Sequence, residues 1–255
     1  MKEHAPGFDT DTWRIFRIMS EFVEGFETMS RVGRAVSVFG SSRTPRSDPW
    51  YQKARQLGRT LAERRFAVIT GGGPGMMEAA NRGAHDGGGI SVGLNITLPH
   101  EQRANPWANV RLDFRYFFAR LVMFVKYANA FICLPGGFGT LHEFYNSMTL
   151  IQTAKADPFP VILIGRSYWR GLMSWMRKQL QSGPYPMIDP QDMELFTLTD
   201  SIKEAVAIVE HAGEGREVEP PEREPSHAQT LEGTLVGEPP QAYKPRSNRR
   251  RKNNS

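Results

Sequence analysis

The chain has 255 residues, 40% of them hydrophobic and 23% charged, with a formal net charge of +5 and a single cysteine. That length allows a sizeable core in one domain or two, and one cysteine excludes a disulfide framework, which fits a reducing cytoplasm. The longest apolar runs fall far short of the roughly 20 residues that a membrane-spanning helix needs. The opening MKEHAPGFDTDTW also has no apolar core of the signal-peptide type.

The charge divides by position. Residues 212–240 hold seven glutamates against two arginines, and residues 241–255 hold six basic side chains, so the two nearly cancel and +4 remains on the first 211. A mildly basic body does not point to nucleic acid, and the basic end reads as a solvated tail.

Residues 13–26 read as an amphipathic helix, with Ile15, Ile18 or Met19, Phe22 and Phe26 at helical spacing and Thr12 as the expected N-cap. So many aromatics on a short helix point to docking on the main domain or on a second subunit. From residue 35 short apolar runs alternate with helical patterns. Strands are expected over 35–40 (AVSVFG), 67–70, 90–96, 110–114, 130–134, 160–164 and, more weakly, 195–198. Helices are expected over 49–65, 75–85, 116–128, 141–153, 168–180 and 201–211. Short strands apolar throughout, separated by helices, indicate a parallel sheet covered on both faces. The expected fold is therefore α/β, a Rossmann-like doubly wound sheet in a single domain over 35–211. A helical segment over 1–34 precedes it. The stretch over 212–255, rich in Glu, Pro, Gly and Ser, is expected to be disordered.

In such a sheet, ligands bind beyond the carboxyl ends of the strands. Three strands end there in glycine-bearing turns: Gly40-Ser41-Ser42, Gly71-Gly72-Gly73 and Pro135-Gly136-Gly137. The third continues through Gly139 and Thr140 into a helical pattern expected to start at Leu141. Strand, glycine turn and helix start together supply backbone N–H groups and a positive dipole end for a phosphate. The spacing is neither G-x-G-x-x-G nor a Walker loop, so neither a dinucleotide enzyme nor a P-loop ATPase is indicated. No metal-ligand spacing and no G-x-S-x-G elbow occur. Cys133, inside an apolar run, reads as a small core residue.

Two charged residues stand out. Glu143 lies three positions after Thr140, which is the spacing of a capping box, so a structural role competes with a chemical one. The glycines before it favour close approach of a ligand to the backbone. Arg120 lies in a helix that is apolar on nearly every side, which predicts burial, so it must be paired or line a polar cavity.

GGGPGMMEAAN, the R-x-x-M step from Arg120 to Met123, and PGGFGTLHE together resemble the LOG (Lonely Guy) family of phosphoribohydrolases, over residues 35–211. The resemblance implies hydrolysis of the N-glycosidic bond of a purine nucleoside 5′-monophosphate, AMP or an N6-modified (cytokinin) nucleotide. The products are free base and ribose 5-phosphate. It puts the catalytic pair on Arg120 and Glu143. It implies phosphate and ribose contacts from Ser41, Gly72, Gly73, Glu78, Gly136, Gly137, Gly139 and Thr140, with no cofactor and no metal. Members commonly carry lysine after the arginine, where this chain has Leu121. A homodimer is implied too. The older decarboxylase label of this family would require pyridoxal phosphate, and nothing here marks a Schiff-base lysine. The competing reading is a non-catalytic nucleotide or molybdenum-cofactor carrier of similar fold.

Overall fold

The computed structural model describes residues 11–97 and 104–213. The tail expected over 212–255 lies outside them beyond Gly213, as do residues 1–10. The elements follow in the order α1 (Asp11–Met29), β1 (Ala35–Phe39), α2 (Pro49–Glu63), β2 (Ala67–Thr70), α3 (Met76–Asp86), β3 (Ser91–Ile96), β4 (Val110–Phe114) and α4 (Phe117–Tyr127). They continue with β5 (Ala130–Cys133), α5 (Phe138–Gln152), β6 (Val161–Ile164), α6 (Arg166–Trp175), β7 (Thr197–Thr199) and α7 (Ile202–Gly213). A turn of π-helix, Met176–Gln181, extends α6, and a short 3-10 helix, Pro190–Glu194, precedes β7. Neither was legible in the apolar periodicity.

All strand pairings are parallel, in the order β4-β3-β2-β1-β5-β6-β7. The chain winds outward from β1 to β4, then returns to the other side of β1 with β5. This β1/β5 junction, with Phe39 opposite Cys133, is the point where strand order reverses. The inner strands β1, β5 and β6 are buried at every position, whereas β4 alternates between buried and accessible residues. That contrast explains their composition: an inner strand covered on both faces needs apolar residues throughout, and an edge strand does not. Burying a side chain such as Phe131 or Ile132 contributes roughly 2 kcal/mol.

Local signals set the helix starts. Asp48 accepts the Trp50 N–H at 2.7 Å, and Pro49 occupies the first turn of α2, where its missing N–H costs nothing. Thr12 does not cap α1, which already begins at Asp11. Instead α1 holds the chain entering α4: the Glu21 carboxylate accepts the N–H groups of Arg115 (2.9 Å) and Tyr116 (3.3 Å).

The expectation that α4 is buried on nearly all sides is corrected. Ala119, Met123 and Phe124 face the core, but Phe117, Phe118 and Val122 are exposed. Phe22 of α1 packs on Phe118 (6.5 Å between rings), while Trp13, Ile15, Phe16, Met19, Val23 and Phe26 remain exposed. Among the described residues the aromatics of α1 are thus only partly covered.

Candidate active site

Three turns meet beyond the carboxyl ends of β1, β2 and β5. The Ser41 N–H donates to the Pro135 carbonyl at 3.0 Å, and the Met76 N–H donates to the Ser41 carbonyl at 2.9 Å. These bonds tie the first turn to the other two. A cavity of about 620 Å³ opens above them. Its walls are Phe39 to Arg43 after β1, Gly71 and Met77 around the start of α3, Ile96 at the end of β3, Phe117, Arg120 and Phe124 from α4, and Gly137 to Leu141 with Glu143 from α5.

Helix α5 begins at Phe138, three residues before the expected Leu141, with Gly137 as N-cap and no side-chain cap. The first-turn N–H groups are therefore left for an external acceptor, at the positive end of the helix dipole. The capping box that the spacing left open is absent. Thr140 lies inside the helix rather than at its cap, and its hydroxyl turns toward Gly136, where a Cβ would meet Oγ1 at 2.0 Å. The Tyr168 hydroxyl donates to the Gly136 carbonyl and braces the same turn from α6.

Arg120 and Glu143 face this cavity from two different helices. Glu143 is only 5% exposed, and its Oε2 has no hydrogen-bond partner among the described residues. His142 Nδ1 stands 3.6 Å from Oε1, beyond a good hydrogen bond. Burial pushes the Glu143 carboxyl above its ordinary value, and the Arg120 guanidinium pulls it partly back. Burial likewise lowers the Arg120 guanidinium, opposed by the charge of Glu143. Arg120 Nε likewise has no partner among the described residues, and the guanidinium lies 5.1 Å from the Phe117 ring centre and 5.7 Å from that of Phe124. A buried carboxylate and a half-buried guanidinium, both incompletely satisfied on one cavity, mark a place where a polar ligand would complete the bonding. Cys133 is fully buried in the core and its thiol is pushed up by burial, as expected for a packing residue.

Of the residues singled out from the sequence, Ser41, Arg120, Gly137, Gly139, Thr140 and Glu143 line the cavity. Gly72, Gly73, Glu78 and Gly136 lie off its walls. Gly72 donates to Thr70 Oγ1 (3.0 Å), and its carbonyl accepts the Asn105 N–H (2.8 Å). Gly73 accepts from Asn105 Nδ2 at 3.1 Å. Gly136 sits behind Thr140, and Glu78 is bonded to Arg46 and Tyr51. Sequence reasoning missed Arg43, Met77, Ile96, Phe117 and Phe138 on the cavity wall. Arg43 adjoins the Gly-Ser-Ser turn and was within reach of that signal; the apolar walls carry no local signature.

Residues 77–209 match a family model described as "Possible lysine decarboxylase". The chain is similar to the cytokinin riboside 5′-monophosphate phosphoribohydrolase LOG3 of Arabidopsis thaliana, at 29% identity over 69% of this chain and 82% of that one. It is 30% identical to a probable cytokinin riboside 5′-monophosphate phosphoribohydrolase, LOG4, of Oryza sativa subsp. japonica, over 70% of this chain and 79% of that one. Among solved structures it resembles TM1055 (TM-score 0.53, 28% identity, 70% of this chain and 99% of that one). It also resembles the molybdenum cofactor carrier protein of Chlamydomonas reinhardtii (TM-score 0.53, 22% identity, 71% and 99%), a likeness of fold alone.

Proposed function

The chain belongs to the LOG (Lonely Guy) family of phosphoribohydrolases, and from that membership we propose that it hydrolyses purine nucleoside 5′-monophosphates. AMP or N6-modified adenine nucleotides would give free base and ribose 5-phosphate. One observation carries the reading: a buried carboxylate and a half-buried guanidinium share a single cavity with an uncapped helix N-terminus.

Each part has a task. The N–H groups of Gly137 to Thr140 and Ser41 hold the phosphate. Breaking the bond between the sugar C1′ and the base nitrogen builds positive charge on the ribose, as in other glycoside hydrolyses. The Glu143 carboxylate stabilises that charge or takes the proton of the water whose oxygen bonds to C1′. The bonding pair leaves with the base, whose nitrogen takes up a proton from solvent water to give the free base. Arg120 stays protonated, so it orients Glu143 and the ribose hydroxyls rather than acting as a base. Binding energy from the phosphate, remote from the broken bond, positions the reacting centre.

The apolar surface left open on α1 and α4 supports a homodimer. The carrier reading has only the fold in its favour. Glu143, on the cavity wall and free of the capping contact, counts against it. Chromatography of the products from a panel of nucleoside 5′-monophosphates tests the proposal: a free base must appear from the adenine nucleotides, and its absence from all of them would refute it.

A further inference from the structure

Glu78 is a buried carboxylate that the cavity does not use. Its Oε1 accepts from Arg46 Nε (3.0 Å), Arg46 Nη2 (2.6 Å) and the Tyr51 hydroxyl (3.2 Å). The partners differ in setting: Tyr51 is buried on α2, while the Arg46 side chain is 68% exposed, on the loop between β1 and α2. A carboxylate taken out of water must be satisfied, and this one is satisfied by Arg46 of that loop together with Tyr51 of α2.

The same loop is held at its other end. The Ser41 carbonyl accepts the Met76 N–H, and Gly75, at φ +69°, lets the two backbones touch; a Cβ there would stand 2.4 Å from the Ser41 oxygen. Loop residues 41–46 are thus fastened to the start of α3 at both ends, at Ser41 by the backbone and at Arg46 by Glu78. Between the two fastenings lie Ser42 and Arg43, which line the cavity.

We propose that Glu78 is a positioning residue that acts through Arg46, setting the Ser41–Arg43 wall against the substrate's phosphate. This rests on the phosphate seat described under the proposed function. Glu78 does not contact the ribose in this arrangement, and Arg43 becomes the cation that the strap presents.

The test compares Arg46→Ala, Arg46→Lys, Glu78→Gln and the Arg46→Ala/Glu78→Gln double variant, with steady-state kinetics on AMP and 2′-deoxy-AMP and melting temperatures beside them. Arg46→Ala and Glu78→Gln should each raise KM for AMP about tenfold with kcat within about twofold, and the double variant should be no worse than either single one. Arg46→Lys should recover most of the loss, and the preference for AMP over 2′-deoxy-AMP should stay at the wild-type value throughout. The proposal is overturned if Arg46→Ala keeps wild-type constants, if Glu78→Gln alone shifts the AMP to 2′-deoxy-AMP preference, or if the losses add in the double variant. If the wild-type chain binds AMP without cleaving it, the proposed function fails and the strap is read from AMP affinity by calorimetry. Equal weakening in the two single variants then supports it, and unchanged affinity in either overturns it.

Discussion

Thr140 and Glu143 lie one turn apart on α5, and neither caps it. The helix starts at Phe138 behind Gly137, the Thr140 hydroxyl turns toward Gly136, and the Glu143 carboxylate remains buried with Oε2 unpartnered among the described residues. A capping box would have given both residues a purely structural reason to be present. Its absence leaves Glu143 as a desolvated charge on a cavity wall, a costly arrangement unless something outside the fold uses it.

Glu143→Gln should therefore separate activity from stability. The amide keeps the shape and removes the charge, so we expect kcat to fall by about two orders of magnitude or more, in the range of losing a general base. The melting temperature should be unchanged or raised, because no cap is lost; a lost cap would cost roughly 1 kcal/mol. Parallel melting curves and rate measurements on wild type and variant check this.

The pH dependence follows from the raised Glu143 pKa. Burial favours the protonated form in the folded chain, so this group contributes stability below its ordinary value of 4.5, and the contribution is lost as pH rises through the raised value. The difference in melting temperature between Glu143→Gln and wild type should grow over that interval, in favour of the variant. Activity should run the other way, since only the carboxylate serves: the rate should rise with pH through the same window and flatten above it. A pH–rate profile recorded beside melting curves reads both.

Arg120→Lys keeps the positive charge but loses the planar fork. If Arg120 orients Glu143 and the ribose through several fixed donors, the variant should lose about 100-fold in kcat. Single-turnover rates on AMP check it, and near-wild-type turnover would reduce Arg120 to a neutralising charge.

The glycines of the turn divide into two kinds. A Cβ added at Gly139 meets nothing within 4 Å, so alanine there should fit and favour the helix by up to about 1 kcal/mol. Its side chain would instead occupy space meant for the phosphate, and KM for AMP should rise about tenfold, the order of one lost hydrogen bond. Gly136→Ala is the opposite case: its Cβ meets Thr140 Oγ1 at 2.0 Å, so we expect a loss of about 1–3 kcal/mol in stability. Denaturant titration with substrate kinetics distinguishes the two.

Much of the architecture was legible in the sequence because its signals are local. Short runs such as AFIC and VILI are apolar at every position, as a strand covered on both faces requires, and the glycine turns fall where those runs end. Arg120 was conspicuous because nearly every neighbour on its helix is apolar. Failures came where local patterns have two solutions. T-x-x-E fits a capping box until the helix starts three residues earlier, and the apolarity of α4 reads as burial in this chain although Phe117, Phe118 and Val122 are open. The partners of Glu78 were out of reach altogether, since Arg46 and Tyr51 stand 32 and 27 residues before it and meet it only when α2 packs on α3.

The central claim is that a phosphate anchored at Gly137 to Thr140 brings a glycosidic bond to Glu143 and Arg120. Its most direct measurement is adenine release from AMP compared with adenosine under the same conditions. The account predicts adenine and ribose 5-phosphate from AMP, with adenosine cleaved at least about a thousandfold less efficiently because the anchoring energy is missing. Comparable turnover of adenosine would contradict it.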